Sequence, residues 1–438
     1  MITRRGWAAI GDTLAALFVA LVTLNPLLVL LALVAFAFVA TQVSVFHRST
    51  AALTPGSFRV ERSPLFKRMP VGLEVVVTVT ATYTGTRGFW GEMYDVLPDS
   101  FDLRDGSTRL RTWWAPGATH RLAYVFRPGI RGGFLLGPTI VAAHDPLGFA
   151  RTTVVLPTAA PATVLPASLG VRPFPVGPTL PNRAPGRLIL RRKGFGTEFR
   201  SLRQYQSDDD IRHIAWKRST LQQLYVREFE QESRQDYLLV IDLDPTMHAG
   251  LWGESALDKS VEAATIIAQM IARQGEDRVG LLTYAGGIFQ FLPPGRGPRQ
   301  MKRLTDNLAL TSTRSAGFNL PMALTEVAGR LKVHTHVVAF TSLSGPMENL
   351  GAARVRFGSR GHRLYLFVPD LGSFYPTATD PIGAVALPWA SESERVRREA
   401  AIHAVEHVGF PVAVFGREGA ADKVLATYQR IRAWENSR

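Results

Sequence analysis

Asp242-Leu-Asp-Pro-Thr246 sets two carboxylates and a hydroxyl at alternate positions just after an apolar run, Tyr237 to Ile241. Oxygen side chains so spaced can converge on a hard cation such as Mg2+. The same residues can instead cap the next helix or brace a loop. A second constellation, His403-Ala-Val-Glu-His407, puts two imidazoles one helical turn apart beside a carboxylate. That is the order of the inverted zinc-peptidase motif, and it would make His403, Glu406 and His407 the centre of a zinc-dependent hydrolase. Zinc there needs a third protein ligand. Only Glu418 and Glu435 are at hand downstream, little separated from the motif. Paired histidines on a helix surface are the competing reading, and the better one. His334 and His336 share one side of a strand with no third partner in view. The chain has no Gly-x-x-x-x-Gly-Lys loop, no serine with a credible base and no cysteine. P-loop, serine-nucleophile and thiolate chemistry are thereby removed.

A third concentration of chemistry is Gly196 to Ser219, GTEFRSLRQYQSDDDIRHIAWKRS, followed by Val226-Arg-Glu-Phe-Glu230. Arginines interleaved with aromatics can hold nucleic acid through phosphate contacts and stacking. Asp208, Asp209, Asp210, Glu228, Glu230 and Glu232 would repel phosphates. Mixed charge of this kind more often forms arginine–carboxylate pairs at a protein surface. Arginine and aromatic side chains also mark protein interfaces. Arg203, Tyr205, Asp208, Asp210, Arg212, Trp216 and Arg227 are therefore candidate partner-binding residues. Trp216, with Ile211 and Ile214, is expected to anchor the segment on an adjoining sheet.

These residues need elements to position them. A chain of 438 residues is long for a single core, so two or three domains are expected. From residue 235 to 438, apolar runs alternate with helical spacing. Strands are expected at Tyr237–Ile241, Arg278–Tyr284, Ile288–Leu292, Thr335–Phe340, Arg363–Val368 and Pro411–Phe415. Helices are expected at Lys259–Arg273, Met301–Leu308, Pro321–Leu331, Glu392–Val408 and Ala420–Ile431. That alternation implies a doubly wound, mainly parallel sheet of Rossmann-like α/β type, whose ligands bind at the carboxyl ends of the strands. Residues 56–166 are rich in short β-branched runs bounded by Gly and Pro, the pattern of an antiparallel β-sandwich-like domain. Within it, Arg127 to Gly137 reads as a turn between paired strands, and His144 to Phe149 as another. Residues 167–234 hold the rest of a Pro-rich linker, which starts at Pro157, together with the charged stretch.

The first 48 residues are expected to form a two-helix transmembrane hairpin. Trp7 to Leu24 and Leu27 to Val43 are almost wholly apolar, separated by Asn25-Pro26. Each is near the ~20 residues that a helix needs to cross the hydrocarbon. A secretory signal is the alternative, but a second apolar run follows the first with no small-residue cleavage site between. Arg4 and Arg5 precede the first run, and Arg48, Arg59, Arg62, Lys67 and Arg68 follow the second. Cations on both flanks place the N-terminus and the domains beyond the hairpin in the cytoplasm. The net charge of +14 favours acidic partners, nucleic acid or anionic lipid without choosing among them.

Gly196-Thr-Glu-Phe-x-x-Leu-Arg203, Tyr205, Asp208 to Asp210, Arg212, Ile214, Trp216 and Val226-Arg-Glu-Phe-Glu230 together resemble the signature of the family named domain of unknown function 58. Ser207 stands where that family usually has glycine. Arg131-Gly-x-x-x-Leu-Gly137, Asp145-Pro-Leu-Gly148, Asp277-Arg-Val-Gly280 and Leu292-Pro-Pro-Gly295 fit the resemblance too. It implies a membrane-anchored protein with a von Willebrand factor type A-like C-terminal domain, associated with MoxR-type AAA+ ATPases. No catalytic activity is implied, so a scaffold or adaptor is expected rather than an enzyme. Asp242, Asp244 and Thr246 resemble the first part of the metal-ion-dependent adhesion site of type A domains, Asp-x-Ser-x-Ser, with one hydroxyl changed to a carboxylate. The later loops depart further. Gly317-Phe-Asn319 stands where a threonine is expected, and Thr341-Ser-Leu-Ser344 where an aspartate is.

Overall fold

The computed structural model describes residues 1–64, 67–167, 193–194, 198–206, 214–220, 223–230, 235–273, 277–315, 319–332, 334–375 and 381–436. It divides into two units, Met1–Leu165 and Pro166–Arg438.

The first unit opens with helices α1 (Arg4–Val22) and α2 (Pro26–Thr50). Asn25 separates them. Its side chain accepts hydrogen bonds from the Leu27 and Leu28 amides, and Pro26 occupies the first helical position, where a missing N–H does no harm. Ala20, Ala32 and Val39 are buried, but Phe18, Val22, Leu27, Leu31 and their like are exposed around both helices. A helix apolar on every side needs a non-aqueous environment. Both helices are long and apolar enough to cross a membrane.

Eleven strands follow: β1 (Phe58–Ser63), β2 (Arg68–Pro70), β3 (Val75–Tyr83), β4 (Phe89–Asp95), β5 (Phe101–Gly106), β6 (Arg109–Trp114), β7 (Thr119–Pro128), β8 (Gly132–Leu136), β9 (Thr139–His144), β10 (Arg151–Leu156) and β11 (Ala160–Leu165). They form two four-stranded antiparallel sheets, β1-β3-β7-β5 and β10-β9-β4-β6, and a three-stranded sheet β2-β11-β8. Period-two alternation explains the layers. Val75, Val77, Val79, Ala81 and Tyr83 face one core, and Phe89, Met93, Trp114, Val141 and Leu156 of the other four-stranded sheet meet them there. At one side of that core Asp95 is buried, and it accepts from Arg62, from the Tyr124 hydroxyl and from Thr139. Burial, and then the adjacent Asp95 carboxylate, raise the Tyr124 hydroxyl above its ordinary pKa. Two expectations need correction. Arg127 to Gly137 does not join paired strands, because β7 and β8 lie in different sheets. The start of the Pro-rich stretch is strand rather than linker: Pro161 pairs with Leu135 inside β11.

Both ends of the helical pair are fixed to this β domain. The chain before α1 forms a bridge, Ile2 to Ala150, with Thr3 N donating to Phe149 O and Arg151 N donating to Met1 O, both 2.9 Å. The Thr3 hydroxyl reaches Gly148 O at 2.6 Å and caps α1 through the Gly6 amide. Asp145 is buried beneath this turn, where one carboxylate oxygen accepts from the Leu147 and Phe149 amides. Gly6 permits the contact, since a Cβ on it would stand 2.2 Å from Phe149 O. At the other end, Phe46 of α2 enters the β core, and Arg87 donates to Arg48 O at 3.0 Å.

The second unit holds β12 (Lys193–Gly194), β13 (Glu198–Gln204) and β14 (Tyr225–Glu230) in one small antiparallel sheet, order β12-β14-β13. Its main body comprises β15 (Asp236–Asp242), α3 (Ala256–Arg273), β16 (Arg278–Tyr284), β17 (Ile288–Gly295), α4 (Pro298–Ala309), α5 (Leu320–Arg330), β18 (Thr335–Phe340), α6 (Leu350–Gly358), β19 (Arg363–Pro369), α7 (Pro381–His407), β20 (Val412–Phe415) and α8 (Ala420–Asn436). The strands form one sheet in the order β17-β16-β15-β18-β19-β20. All neighbours are parallel except the edge strand β17. Every residue of β15 is buried. Tyr237, Leu239 and Ile241 face a core shared with α3, α4 and α8; Leu238 and Val240 face one shared with α5, α6 and α7. Helices cover both faces, which is why the strand reads as an unbroken apolar run. From β15 the chain moves to β16, then returns across β15 to β18, so a topological switch point lies between β15 and β18.

The Gly6 contact is open to direct test. Gly6→Ala should weaken the junction by about 1–3 kcal/mol through overpacking. The full-length protein in detergent is then expected to melt several degrees lower, with faster amide exchange at Thr3 and Arg151. Gly11→Ala, whose Cβ meets nothing within 4 Å, should change neither. Equal behaviour of the two variants would refute the close contact.

Candidate functional site

The carboxyl ends of β15 and β18 meet in a network of carboxylates and hydroxyls. Asp242, the last residue of β15, is fully buried. Its Oδ1 accepts from the Asp244 amide at 2.8 Å, and its Oδ2 from the Thr341 hydroxyl at 2.9 Å and the Ser342 amide at 3.2 Å. Asp244 turns the chain by accepting from the Thr246 amide at 2.9 Å. The Thr246 hydroxyl lies 2.6 Å from Asp244 Oδ1 and 2.8 Å from Ser342 Oγ, which in turn lies 3.1 Å from Ser344 Oγ. Asp242, Asp244 and Thr246 are thus brought together, and the Thr341–Ser344 loop closes over them.

Above this floor opens a cavity of about 720 Å³, lined by Asp244, Thr246, Asn319, Ser344, Arg397 and Arg398 among others. Arg398 is buried and donates to Asp370 at 2.6 Å, which fixes that part of α7 against the end of β19. Arg397, its neighbour, is exposed at the rim. Asn319 uses its side chain to cap α5 through the Met322 amide. Not far in sequence from the floor, Leu251 and Trp252 are exposed on the loop after β15, and Trp252 is 78% exposed. That loop is held by Asp258, which accepts from Gly253 N and from both the amide and hydroxyl of Ser255.

Burial pushes the Asp242 carboxyl up to about 7, and the nearby Asp244 charge adds to the rise; the amides of Asp244 and Ser342 and the Thr341 hydroxyl work against it. The donor set is all oxygen, which suits a hard cation in type. No group of three His, Asp or Glu side chains placed for a metal occurs among the described residues. Here the hydroxyls instead donate to the carboxylates, so the network is closed upon itself.

The other sequence candidates are scattered. Arg203 in β13 pairs with Val226, and Arg227 in β14 with Leu202, so the two stand at adjacent register positions. The Tyr205 amide continues the pairing by donating to Leu224 O. Asp208, Asp210 and Arg212 lie outside the described residues, as does Ile211. Trp216 does not anchor the segment: it is 63% exposed, while Ile214, Ala215 and Val226 are buried. The reason is local. Ile214 bridges to Val226, and the chain then enters a short 3-10 turn that carries Trp216 outward. His403, Glu406 and His407 are exposed at the end of α7, with His403 Nδ1 3.9 Å from Glu406. His334 and His336 take no part together either: the His336 ring stacks on Tyr237 and Tyr365. Arg397 and Arg398 carried a weak signal in the sequence, as adjacent arginines within an amphipathic helix. Nothing there tied them to Asp370 or to the β15 loop.

Residues 201–362 match the model of a family described as protein of unknown function DUF58. The match covers part of the charged stretch and most of the six-stranded sheet, less than half of the chain. No curated protein matches. Among solved structures, conserved hypothetical protein BatB from Bacteroides thetaiotaomicron is similar at 16% identity and TM-score 0.32, covering 45% of this chain and 98% of its own. An aerotolerance-related membrane protein from Bacteroides fragilis shows 16% identity and TM-score 0.29, with 45% and 99% covered. PilB minor pilin from Streptococcus sanguinis shows 10% identity and TM-score 0.31, with 79% and 87% covered. Overlaps this loose carry no structural argument.

The raised Asp242 carboxyl gives a signed pH dependence. In the unfolded chain it ionises near its ordinary value, in the folded chain near 7. Its contribution is therefore fully present below about pH 4 and is lost as pH rises through 7. Relative to wild type, Asp242→Asn should gain stability between pH 4 and 8, by about 4 kcal/mol at most. Melting curves of the two proteins across that range are the measurement. Parallel curves would show that Asp242 titrates normally.

Proposed function

We propose, starting from the match of residues 201–362 to the DUF58 family, that this chain is a membrane-anchored, non-catalytic adaptor that grips a partner protein at the carboxyl edge of its six-stranded sheet. One observation carries the reading. The switch point, where such sheets bind ligands, holds a closed Asp242–Thr341–Ser342–Thr246 network under a cavity rimmed by the exposed Arg397. Chemistry requires a nucleophile or a base aimed at open space; Asp242 and Thr246 are instead engaged in the network, and Glu394 is a further carboxylate in the cavity lining. Binding requires a rigid floor, a charged rim and an aromatic anchor. Arg397 supplies the charge, and Trp252 is an exposed aromatic on the loop after β15.

The C-terminal domain is read as von Willebrand factor type A-like, with Asp242, Asp244 and Thr246 as a degenerate adhesion site. An acidic side chain of the partner would enter the cavity towards Arg397. If Mg2+ joins, Asp244, Thr246 and Ser342 would hold it with Asp242 behind, and it would supply positive charge to the same acidic group. The partner is read as a MoxR-type AAA+ ATPase, in protein or complex assembly. The two helices are read as a two-pass anchor. Arg4 and Arg5 in the first turn of α1, and Arg48 in the last turn of α2 with Arg59 beyond it, support an N-terminus and both units on the cytoplasmic side.

Binding of a MoxR-type ATPase to the full-length protein in detergent should weaken about tenfold or more with Arg397→Glu, the change of about 1.4 kcal/mol or more that an interface anchor gives. Unchanged binding would remove this edge as the docking site, and no binding would remove the ATPase. The cation is a separate matter. Mg2+ at a hundred times its dissociation constant would stabilise the wild type by about 2.7 kcal/mol, and Asp244→Ala should not respond. A wild-type melting temperature indifferent to Mg2+ would dispose of the metal and leave the arginine-rimmed cavity.

A further inference from the structure

Two tryptophans stand on the outer face of the β10-β9-β4-β6 sheet, where no core uses them. Trp90 of β4 and Trp113 of β6 are cross-strand partners. Their rings meet edge to face at 5.6 Å, and they are 47% and 45% exposed. Phe89 and Trp114, one position along, point inward and are buried. A paired aromatic patch on a soluble face is unfavourable unless something covers it. The adjoining loop accommodates the pair: a Cβ on Gly88 would stand 2.5 Å from the Trp113 ring.

The position of the patch in the unit identifies its cover. The loop between β3 and β4 carries Arg87, which donates to Arg48 O in the last turn of α2. The same loop is tied to the chain leaving α2, with Thr84 N donating to Ser57 O at 2.8 Å. The β6–β7 turn closes against it, with Gly117 N donating to Tyr83 O at 2.9 Å. The β9–β10 turn holds the residues before α1. All three loops therefore lie at the end of the domain from which both apolar helices leave. Trp90 is the second residue of β4 and Trp113 the penultimate residue of β6, so both stand at that end. The charges beside them are mostly positive. Arg87 precedes the patch and Arg111 lies on the same face, opposite Glu92. Arg4, Arg5, Arg48 and Arg151 flank the helix ends. Asp145, the acid within the β9–β10 turn, is buried.

We propose that Trp90 and Trp113, with Arg87 and Arg111, rest in the anionic headgroup layer of the membrane that the helices span, so that the β domain lies on the bilayer surface. The inference rests on the reading of α1 and α2 as a spanning pair. Indole rings favour the membrane–water interface because the ring is apolar and its N–H is not. Arginines just outside the hydrocarbon are drawn to anionic lipid. The fixed ends of α1 and α2 leave the domain little freedom to swing away.

The chain has no cysteine, so single labelling sites can be introduced cleanly. The full-length protein, nitroxide-labelled at Thr86→Cys in the exposed β3–β4 loop, is placed in phosphatidylcholine vesicles containing phosphatidylglycerol. Leu31→Cys in α2 reports the hydrocarbon, and Leu103→Cys on β5 reports the far part of the domain. The label at 86 should be several-fold less accessible to a water-soluble nickel relaxant than that at 103. The difference should shrink in phosphatidylcholine alone, and in Trp90→Ser/Trp113→Ser. If the labels at 86 and 103 are equally accessible while that at 31 is shielded, the surface contact is overturned and the spanning pair stands. An accessible label at 31 overturns both. Shielding at 86 that persists in the double variant overturns the role given to the tryptophans. The two are surface side chains, so the double variant keeps its core. Should it not fold, the comparison of 86 with 103 still decides.

Discussion

The arrangement of the first unit depends on how the ends of two apolar helices are tied down. The Ile2–Ala150 bridge and the Thr3 cap hold one end, and Phe46 in the β core holds the other. A helix that leaves a domain through a loose linker transmits nothing to it. A helix whose first turn is hydrogen-bonded to a β-turn, and whose last turn is packed in the core, moves with the domain. Asp145 makes this possible, because its carboxylate organises the turn that receives the N-terminal segment.

A comparable constraint governs the second unit. β15 is buried on both faces, so its polar groups are useful only where the strand ends. There Asp242 is used to join two loops that the chain visits a hundred residues apart. The carboxyl is kept out of water, which raises its proton affinity, and is kept partly ionisable by the amides and the hydroxyl that donate to it. The outcome is a firm floor under a cavity whose polar character comes from the surrounding loops and from α7. This division sets a rigid network below and the exposed Arg397 above.

Much of the strand and helix order was legible in the chain. Thr335–Phe340 has the same ends in sequence and structure, because a run of β-branched and apolar residues is bounded by polar ones. The Asp242, Asp244 and Thr246 grouping was legible for the same local reason, alternate side chains on one short turn. Helix α6 was not: its buried residues, Leu350, Ala353 and Phe357, keep helical spacing, but the helix has only nine residues, Gly351 and Gly358 interrupt the pattern, and the apolar Val355 faces solvent. Trp216 was misjudged because hydrophobicity alone assigns a tryptophan inward, whereas the backbone after Ile214 turns it out. The Arg127–Gly137 turn was misjudged because turn residues mark where a strand stops but not which sheet the next one joins.

By itself the sequence determined what is set within a few residues: two helices apolar on all sides, the alternation of strands, and an oxygen-rich turn after β15. Only the tertiary structure decided what lies beside what. It put Thr341 and Ser342 on Asp242, Arg398 on Asp370, and Trp90 against Trp113 at the end of the domain where the helices leave. The physical reason is range. Propensity and hydrophobic period act along the chain over a turn or two, whereas these contacts are fixed by strand order and register between segments far apart in it.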